Sequence, residues 1–402
     1  MQGSKMKIIH TVENYYPSVG GAQEVVRQIS EHLAARGHDV TVVTSTYPNR
    51  AEEHRGVKIR SFPLSGNKVR GIRGPQAEYL KFLKNSNADI ILNYAAQQWT
   101  TDSILDSLSE VPGKKVFLPC GFSGLHWAEY KTYYEKMESW IKAYDAIVLI
   151  NEQYRDSQFV RAHANGQMIR LIPNGADEHE FIHPVEYKKT ARKLLGLGDK
   201  FVFLSIGSHT GIKGHSEAIE FFNRQPLKNS ELIIIGNSFD KDTGCWKSCH
   251  RSAIKSHFKL SNWRNKKRIR VLNLNRSETL NYLYAADLFL FFSNIECSPL
   301  VLFESSAAGT PFLSADVGNT REISAWLGGG WIANTQIDSS GWSKVNIEGA
   351  LSVFDSIIKD PSTLIEKSRV AHERWKQSFT WEQISEAFES LYSDLLGLKR
   401  KN

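Results

Sequence analysis

Two doubly wound α/β domains in tandem are the fold that this sequence predicts. Three observations carry that prediction. Short apolar runs recur along the chain, each followed by a stretch of helical periodicity, the pattern of parallel strands joined by crossover helices. At 402 residues the chain is too long for one ordinary core. The alternation breaks once, around residues 173–184, at turn-forming and polar residues with Pro184 as a plausible linker. No repeat of solenoid period is present, so the halves share architecture only.

Taken in order, Lys7-Ile8-Ile9-His10 reads as the first strand. Gly20-Gly21-Ala22-Gln23 then opens an amphipathic helix that runs to about Arg36, with Gly37 as its C-cap. A glycine pair at a strand-to-helix turn lets backbone approach a ligand at the helix start, although a tight turn would use the same residues. It is not G-x-G-x-x-G, which argues against a nicotinamide or flavin enzyme. Runs at 39–44, 57–60, 89–93, 115–119 and 146–150 read as further strands of the first half. Phe201 to Gly207, Leu232 to Ile235, Ile269 to Leu272, Leu288 to Phe292 and Pro311 to Ser314 read as those of the second. Thr380, with Gln383 three residues on, has the form of a capping box for a last amphipathic helix reaching Leu396.

Composition narrows the class. The chain is 41% hydrophobic and 23% charged, as globular proteins are. It has no run of eighteen apolar residues, so no membrane-spanning helix is expected. Met1-Gln2-Gly3-Ser4-Lys5-Met6 has no apolar signal core and could include an expression scar. Four cysteines in so long a chain do not make a disulfide framework and fit a reducing cytoplasm. The net charge of +7 favours anionic partners, among which nucleotide diphosphates, acidic lipid head groups and nucleic acid all qualify.

The most informative stretch is Ser293-Asn294-Ile295-Glu296-Cys297-Ser298-Pro299-Leu300-Val301-Leu302-Phe303-Glu304. It follows an apolar run that reads as a strand buried on both faces. Ser298 is the expected N-cap and Pro299 the first helical residue, with the helix ending at Gly309. Glu296 and Glu304 then bracket the unpaired N–H groups and positive end of a helix, where phosphate binds readily. Carboxylates repel phosphate but accept hydrogen bonds from vicinal hydroxyls. The arrangement fits a sugar nucleotide: diphosphate at the helix start, ribose on one Glu and a hexose on the other. Two surface acids on an ordinary strand–loop–helix unit are the blander reading.

Glu296, seven residues, Glu304 and then Ala308-Gly309-Thr310-Pro311 resemble the signature of the retaining glycosyltransferases of family 4. Gly20-Gly21, Ile172-Pro173-Asn174-Gly175-Ala176-Asp177, Lys213-Gly214 and Thr380-Trp381 stand in the order the family has them, so the resemblance covers nearly the whole chain. It implies a GT-B fold: two Rossmann-like domains facing across a cleft, whose closure would exclude water. The expected domains are an acceptor-binding one at 1–178, a nucleotide-sugar-binding one at 179–378, and a last helix at 379–402 crossing back to the first. It implies a hexose transferred from a UDP- or GDP-linked donor to a glycan or glycolipid acceptor, with bacterial surface polysaccharide as the expected product. Glu304 should hold the ribose and Glu296 the donor sugar. Leu300 and Val301 backbone N–H groups, beside Ser298, should hold the diphosphate. The Gly20, Gly21 and Gln23 loop should face acceptor and leaving phosphate.

Lys213 follows the second half's first strand, in Gly207-Ser208-His209-Thr210-Gly211-Ile212-Lys213. A cation there would offset charge developing on a leaving diphosphate, whereas most lone lysines are solvated. The family pairs this Lys with an Arg five residues earlier; this chain has Ser208. Gly207, Ser208 and His209 are therefore expected in the donor site, with Arg321 as an alternative cation. The family often carries a His after the strand ending at Leu118-Pro119, where this chain has Cys120. His126, six residues on, is the replacement candidate for catalysis beside Glu296 and Lys213, although a lone His is more often structural. A front-face transfer in which the leaving phosphate takes the acceptor's proton needs no protein base.

Ten basic side chains and no acid lie between Lys247 and Arg276, interleaved with Trp246, Phe258 and Trp263. An anionic membrane surface or an acidic glycan would fit them, and a solvated helix would look the same. Nucleic acid is not expected, for want of any recognisable module. Cys245 and Cys249 with His250 match no standard zinc spacing, so neither metal nor cofactor is expected. A cytoplasmic protein, peripheral at the inner face of the plasma membrane, is the expected setting. The alternatives are a nucleotide-sugar epimerase on the same architecture, or a catalytically silent anion-binding scaffold.

Overall fold

The computed structural model describes residues 5–183, 185–237, 244–338 and 341–398. Pro184, in the expected linker, and the opening residues Met1 to Ser4 lie outside them. Two compact units result, Met1–Asn174 with Trp381–Asn402, and Gly175–Thr380.

The first unit contains β1 (Lys7–Thr11), β2 (Asp39–Ser45), β3 (Glu53–His54), β4 (Val57–Phe62), β5 (Ser65–Asn67), β6 (Gly71–Arg73), β7 (Ile90–Tyr94), β8 (Lys114–Leu118), β9 (Ala146–Leu149) and β10 (Met168–Leu171). Eight of these form a sheet in the order β10-β9-β8-β7-β1-β2-β4-β3, parallel except where β3 meets β4. The order reverses between β1 and β7, which makes the C-terminal ends of those strands a switch point. Central strands such as β7 and β9 are buried on both faces, which is why they read as unbroken apolar runs. The Gly21–Ala35 helix packs against the last helix, Trp381–Leu395. Arg36 Nη1 donates to Glu389 at 2.7 Å, and buried His10 meets Ser30 Oγ at 2.8 Å and Tyr392 OH at 3.0 Å.

The second unit holds β11 (Phe201–Ile206), β12 (Ser230–Ile235), β13 (Lys267–Leu272), β14 (Leu288–Phe291), β15 (Phe312–Ala315), β16 (Gly330–Ala333), β17 (Thr335–Ile337) and β18 (Ser343–Val345). Its sheet is wholly parallel, in the order β13-β12-β11-β14-β15-β16, with the reversal between β11 and β14. Phe203, Phe221, Phe222, Phe289 and Phe354 sit in one continuous core around it. The strands missing from the sequence reading are β3, β10, β16 and the β5–β6 and β17–β18 hairpins. All are two to four residues long, too short for period-two alternation to register.

Candidate functional site

The switch point of the second unit brings together the two loops that sequence reasoning singled out. One leaves β11 and carries Gly207 to Gly214; the other leaves β14 and carries Ser293 to Pro299. They are stitched by backbone: Asn294 N–H donates to Ile212 O at 2.8 Å, and Ser293 Oγ lies 3.1 Å from the same carbonyl. Gly214 makes this approach feasible. Its φ is +69°, and a Cβ there would collide with the Phe292 carbonyl.

Within that joint Lys213 Nζ lies 2.6 Å from Glu296 Oε1, to which Ser293 Oγ also donates at 2.8 Å. Cation and carboxylate are both half-buried, so each lowers the other's desolvation cost. A phosphate and a sugar hydroxyl arriving here would find a cation and an acceptor already side by side. Arg321, the alternative cation, is exposed and turns onto Asp316 at 2.8 Å.

The helix after this loop runs Leu300–Ala307. It starts one residue later than expected: Pro299, not Ser298, holds the N-cap position, in extended backbone, and the Ser298 side chain stands outside the helix. The expected end holds, with Gly309 at φ +69° just beyond Ala308. Helical geometry leaves the first-turn N–H groups of Leu300 and Val301 without intrahelical acceptors. One turn on, Glu304 is half-buried and accepts from Arg276 Nη2 at 2.8 Å. Arg276 is shared, because the same nitrogen lies 2.5 Å from Glu180 Oε2. The clamp fixes one oxygen of Glu304 and leaves acceptor capacity for hydroxyls. Sequence reasoning missed it, placing Arg276 only at the end of a basic run.

His209 departs from expectation. Its backbone is in the β11 loop, but its side chain is buried against His215, Cys245 and Trp246. Ser208 and Gly207 remain on the loop, Ser208 half-buried.

In the first unit Gly20 is the N-cap of the Gly21–Ala35 helix, with the Gln23 side chain folded over it so closely that a Cβ would clash. The ends of β7 and β8 are strained. Ala95, Gln97, Cys120 and Phe122 all have positive φ, between 43° and 66°. Behind them lies Asp102, buried, accepting from Tyr133 OH at 2.7 Å and Lys68 N–H at 2.9 Å. Burial pushes its carboxyl from 3.8 up to about 6. Cys120 Sγ lies 3.6 Å from Tyr94 OH. His126 is exposed and lines a pocket of about 410 Å³ with Trp127, Lys131, Tyr134 and Glu135. Among the described residues nothing fixes its ring as an oriented base.

The basic segment divides in two. Lys267 is buried against the Phe222 and Gln225 carbonyls, half-buried Arg270 pairs with Glu231, and exposed Arg276 holds Glu304, so these three are engaged within the protein. The Trp246–Phe258 and Leu260–Arg264 helices carry Lys247, Arg251, Lys255 and Arg264, with Lys259 between them and Phe258 80% and Trp263 71% exposed beside them; Lys266 precedes β13 and Arg268 lies in it. No helix among the described residues is long and apolar enough to cross a membrane.

Comparison with known proteins agrees with this geometry. The family profile for Glycosyltransferase Family 4 matches residues 19–180, and that for Glycosyl transferases group 1 matches 187–343. The chain is 22% identical over 355 residues to an Escherichia coli UDP-Gal:alpha-D-GlcNAc-diphosphoundecaprenol alpha-1,3-galactosyltransferase, covering 84% of this chain and 86% of that protein. Among solved structures, sucrose-phosphate synthase from Thermosynechococcus elongatus superposes with a TM-score of 0.76 at 19% identity, over 98% of this chain and all of the other. Anabaena HepE in complex with UDP superposes with a TM-score of 0.74 at 16% identity, over 97% and 100%. The two profiles between them span most of both units, and the chain belongs to glycosyltransferase family 4, with the GT-B fold.

Proposed function

We propose that this glycosyltransferase moves a hexose from a UDP-linked donor to a glycan or glycolipid acceptor with retention of anomeric configuration. The observation that carries the reading is the junction at the β11/β14 switch point. A cation, a carboxylate beside it and a helix N-terminus with a second, clamped carboxylate follow one another there. In this reading the Leu300 and Val301 N–H groups and Lys213 hold the diphosphate, Glu304 accepts from the ribose hydroxyls and Glu296 from the hexose. The bond between the anomeric carbon and the phosphate oxygen breaks. The acceptor oxygen adds on the same face, and its proton passes to the departing phosphate. Lys213 stabilises the charge that gathers on that phosphate. No protein base is required, in keeping with Cys120 at the family's His position and an exposed His126.

UDP as the nucleotide is supported by the E. coli relative's UDP-Gal donor and by the UDP bound in HepE. The same relative acts on a diphosphoundecaprenol-linked sugar, which supports a lipid-linked acceptor and a role in bacterial surface polysaccharide synthesis. The exposed aromatic and basic side chains of 246–264 then serve as a peripheral membrane contact in the cytoplasm. Thermal unfolding with UDP, GDP and ADP tests the nucleotide. A ligand at a hundredfold its dissociation constant adds about 2.7 kcal/mol, so UDP alone should raise the transition markedly. NMR of the product's anomeric proton tests retention. Equal shifts from all three nucleotides, or an inverted product, would defeat the proposal.

A further inference from the structure

Behind the Lys213 loop, four side chains converge that the donor site does not use. His209 and His215 come from the segment after β11, Cys245 and Cys249 from the start of the Trp246–Phe258 helix. Their ligand atoms all lie within 4.8 Å of one another. His209 Nδ1 and His215 Nδ1 are 3.3 Å apart, and Cys245 Sγ is 3.4 Å from the first and 3.9 Å from the second. Zinc bonds of about 2.0 Å to nitrogen and about 2.3 Å to sulfur, set tetrahedrally, require about 3.3 Å between nitrogens and about 3.5 Å between nitrogen and sulfur. The observed spacings need little adjustment to meet them.

From these spacings we infer that His209, His215, Cys245 and Cys249 form a Cys2His2 zinc site. The local fold brings the four together by specific means. Cys245 and Cys249 are four apart, on one face of the helix start, with Cys249 N–H donating to Cys245 O at 2.8 Å. Cys245 N–H donates to His209 O at 3.1 Å. Gly244, at φ +77°, permits that approach, since a Cβ there would collide with the same carbonyl. The Trp246 ring stands edge-on to His209, with centroids 4.7 Å apart, and shields the cluster. An ordinary hydrogen-bonded core does not account for it. Both rings turn Nδ1 toward each other and toward Cys245 Sγ, with all three separations at 3.9 Å or less, a convergence of ligand atoms that ordinary paired hydrogen bonds do not require. Four protein ligands close the coordination sphere, which makes the site structural rather than catalytic. Its consequence is mechanical: zinc would tie the 207–214 loop, with Lys213 in it, to the start of the Trp246–Phe258 helix. The expectation of no metal rested on linear spacing between cysteines, and the two histidines that complete the set are 30 or more residues away in the chain.

The experiment is metal analysis of tag-free protein purified under reducing conditions from zinc-supplemented culture. About one zinc per chain is expected from a closed four-ligand site. The metal should be lost in the double variant Cys245→Ser, Cys249→Ser and kept in His250→Ala. Reduced metal-free protein titrated with cobalt should develop the visible bands of tetrahedral cobalt and a thiolate charge-transfer band. Hydrogen exchange in 207–214 should rise several-fold on chelation. Less than about a tenth of a zinc per chain, with no tetrahedral cobalt spectrum, overturns the assignment, as does a Cys245–Cys249 disulfide in freshly purified protein. Zinc that survives the double variant overturns it too. The wild-type metal content and cobalt spectrum decide the matter even if the double variant does not fold. None of these readouts depends on transferase activity, so failure of the donor assignment would leave them intact.

Discussion

Replacing Glu304 tests the donor site with the least collateral damage, because of how Arg276 is held. Glu304→Ala removes one carboxylate from the Arg276 clamp, but Glu180 remains 2.5 Å from the same nitrogen. The guanidinium therefore keeps a partner. Its side chain is 43% exposed by surface area, which limits the stability cost to about 1 kcal/mol or less. The binding cost should be much larger. Two ribose hydroxyls donating to a carboxylate make charge-assisted hydrogen bonds worth about 1.5–3 kcal/mol each. Taking the lower value for both gives about 3 kcal/mol, on the order of a hundredfold in the UDP dissociation constant. Glu304→Gln keeps an acceptor oxygen and loses the charge, so roughly tenfold is expected. Isothermal titration of UDP into the three proteins reads these differences, and ligand-free melting separates them from misfolding. If Glu304→Ala melts like the parent and binds UDP within threefold of it, Glu304 does not hold the ribose. If it binds weakly because it melts far lower, the clamp has been misjudged.

Three further outcomes follow from the structure. Lys213→Met should lower kcat by about a hundredfold or more while changing UDP affinity far less, because its charge matters most as the phosphate departs; a loss under threefold in steady-state rates would remove it from the reaction. In the first unit, Asp102 is raised by burial from 3.8 to about 6 while His10 is lowered by burial from 6.5 to about 3. The folded state thus holds an extra proton at Asp102 between about pH 4 and 6, and stability from that group is lost as pH rises, by about 3 kcal/mol in all. His10 has the opposite sign, its contribution being lost as pH falls below 6.5, so the two offset; urea midpoints should slope upward with pH from 4.5 to 6.5 in Asp102→Asn, and a slope unchanged from the parent would contradict the assignment. Finally, the protein should sediment with vesicles containing anionic lipid and not with neutral ones, and Phe258→Glu with Trp263→Glu should reduce that binding about tenfold or more; equal binding by the double variant would place the contact elsewhere.

The legible parts of this protein share a physical cause. A strand buried on both faces has no polar positions to spare, so β7, β9, β12 and β14 announced themselves as apolar runs. The Glu296–Glu304 spacing was equally visible because both carboxylates flank one helix start in continuous sequence. What stayed hidden depends on contacts between distant segments. The ten basic side chains of 247–276 look alike in the sequence. Only the fold turns Lys267 inward, sets Arg270 on Glu231 and puts Arg276 on Glu304. His209 shows the same limit: its position in the β11 loop is as expected, and its side-chain direction is not.

That difference in direction bears on how the donor loop is built. The family's Arg position is Ser208 here, so Lys213 has no second cation beside it on the loop. In compensation its own placement is unusually determined. Glu296 and, through it, Ser293 fix the ammonium group. Gly214 and the Ile212 carbonyl, which accepts from Asn294 N–H, fix the backbone on one side. On the other side His209 and His215 anchor the same loop into the cysteine cluster. A single cation held from three directions loses little further freedom on meeting phosphate, and interactions already ordered before the reaction cost least when charge develops. One well-positioned lysine can thus do much of what a more mobile pair of cations would do.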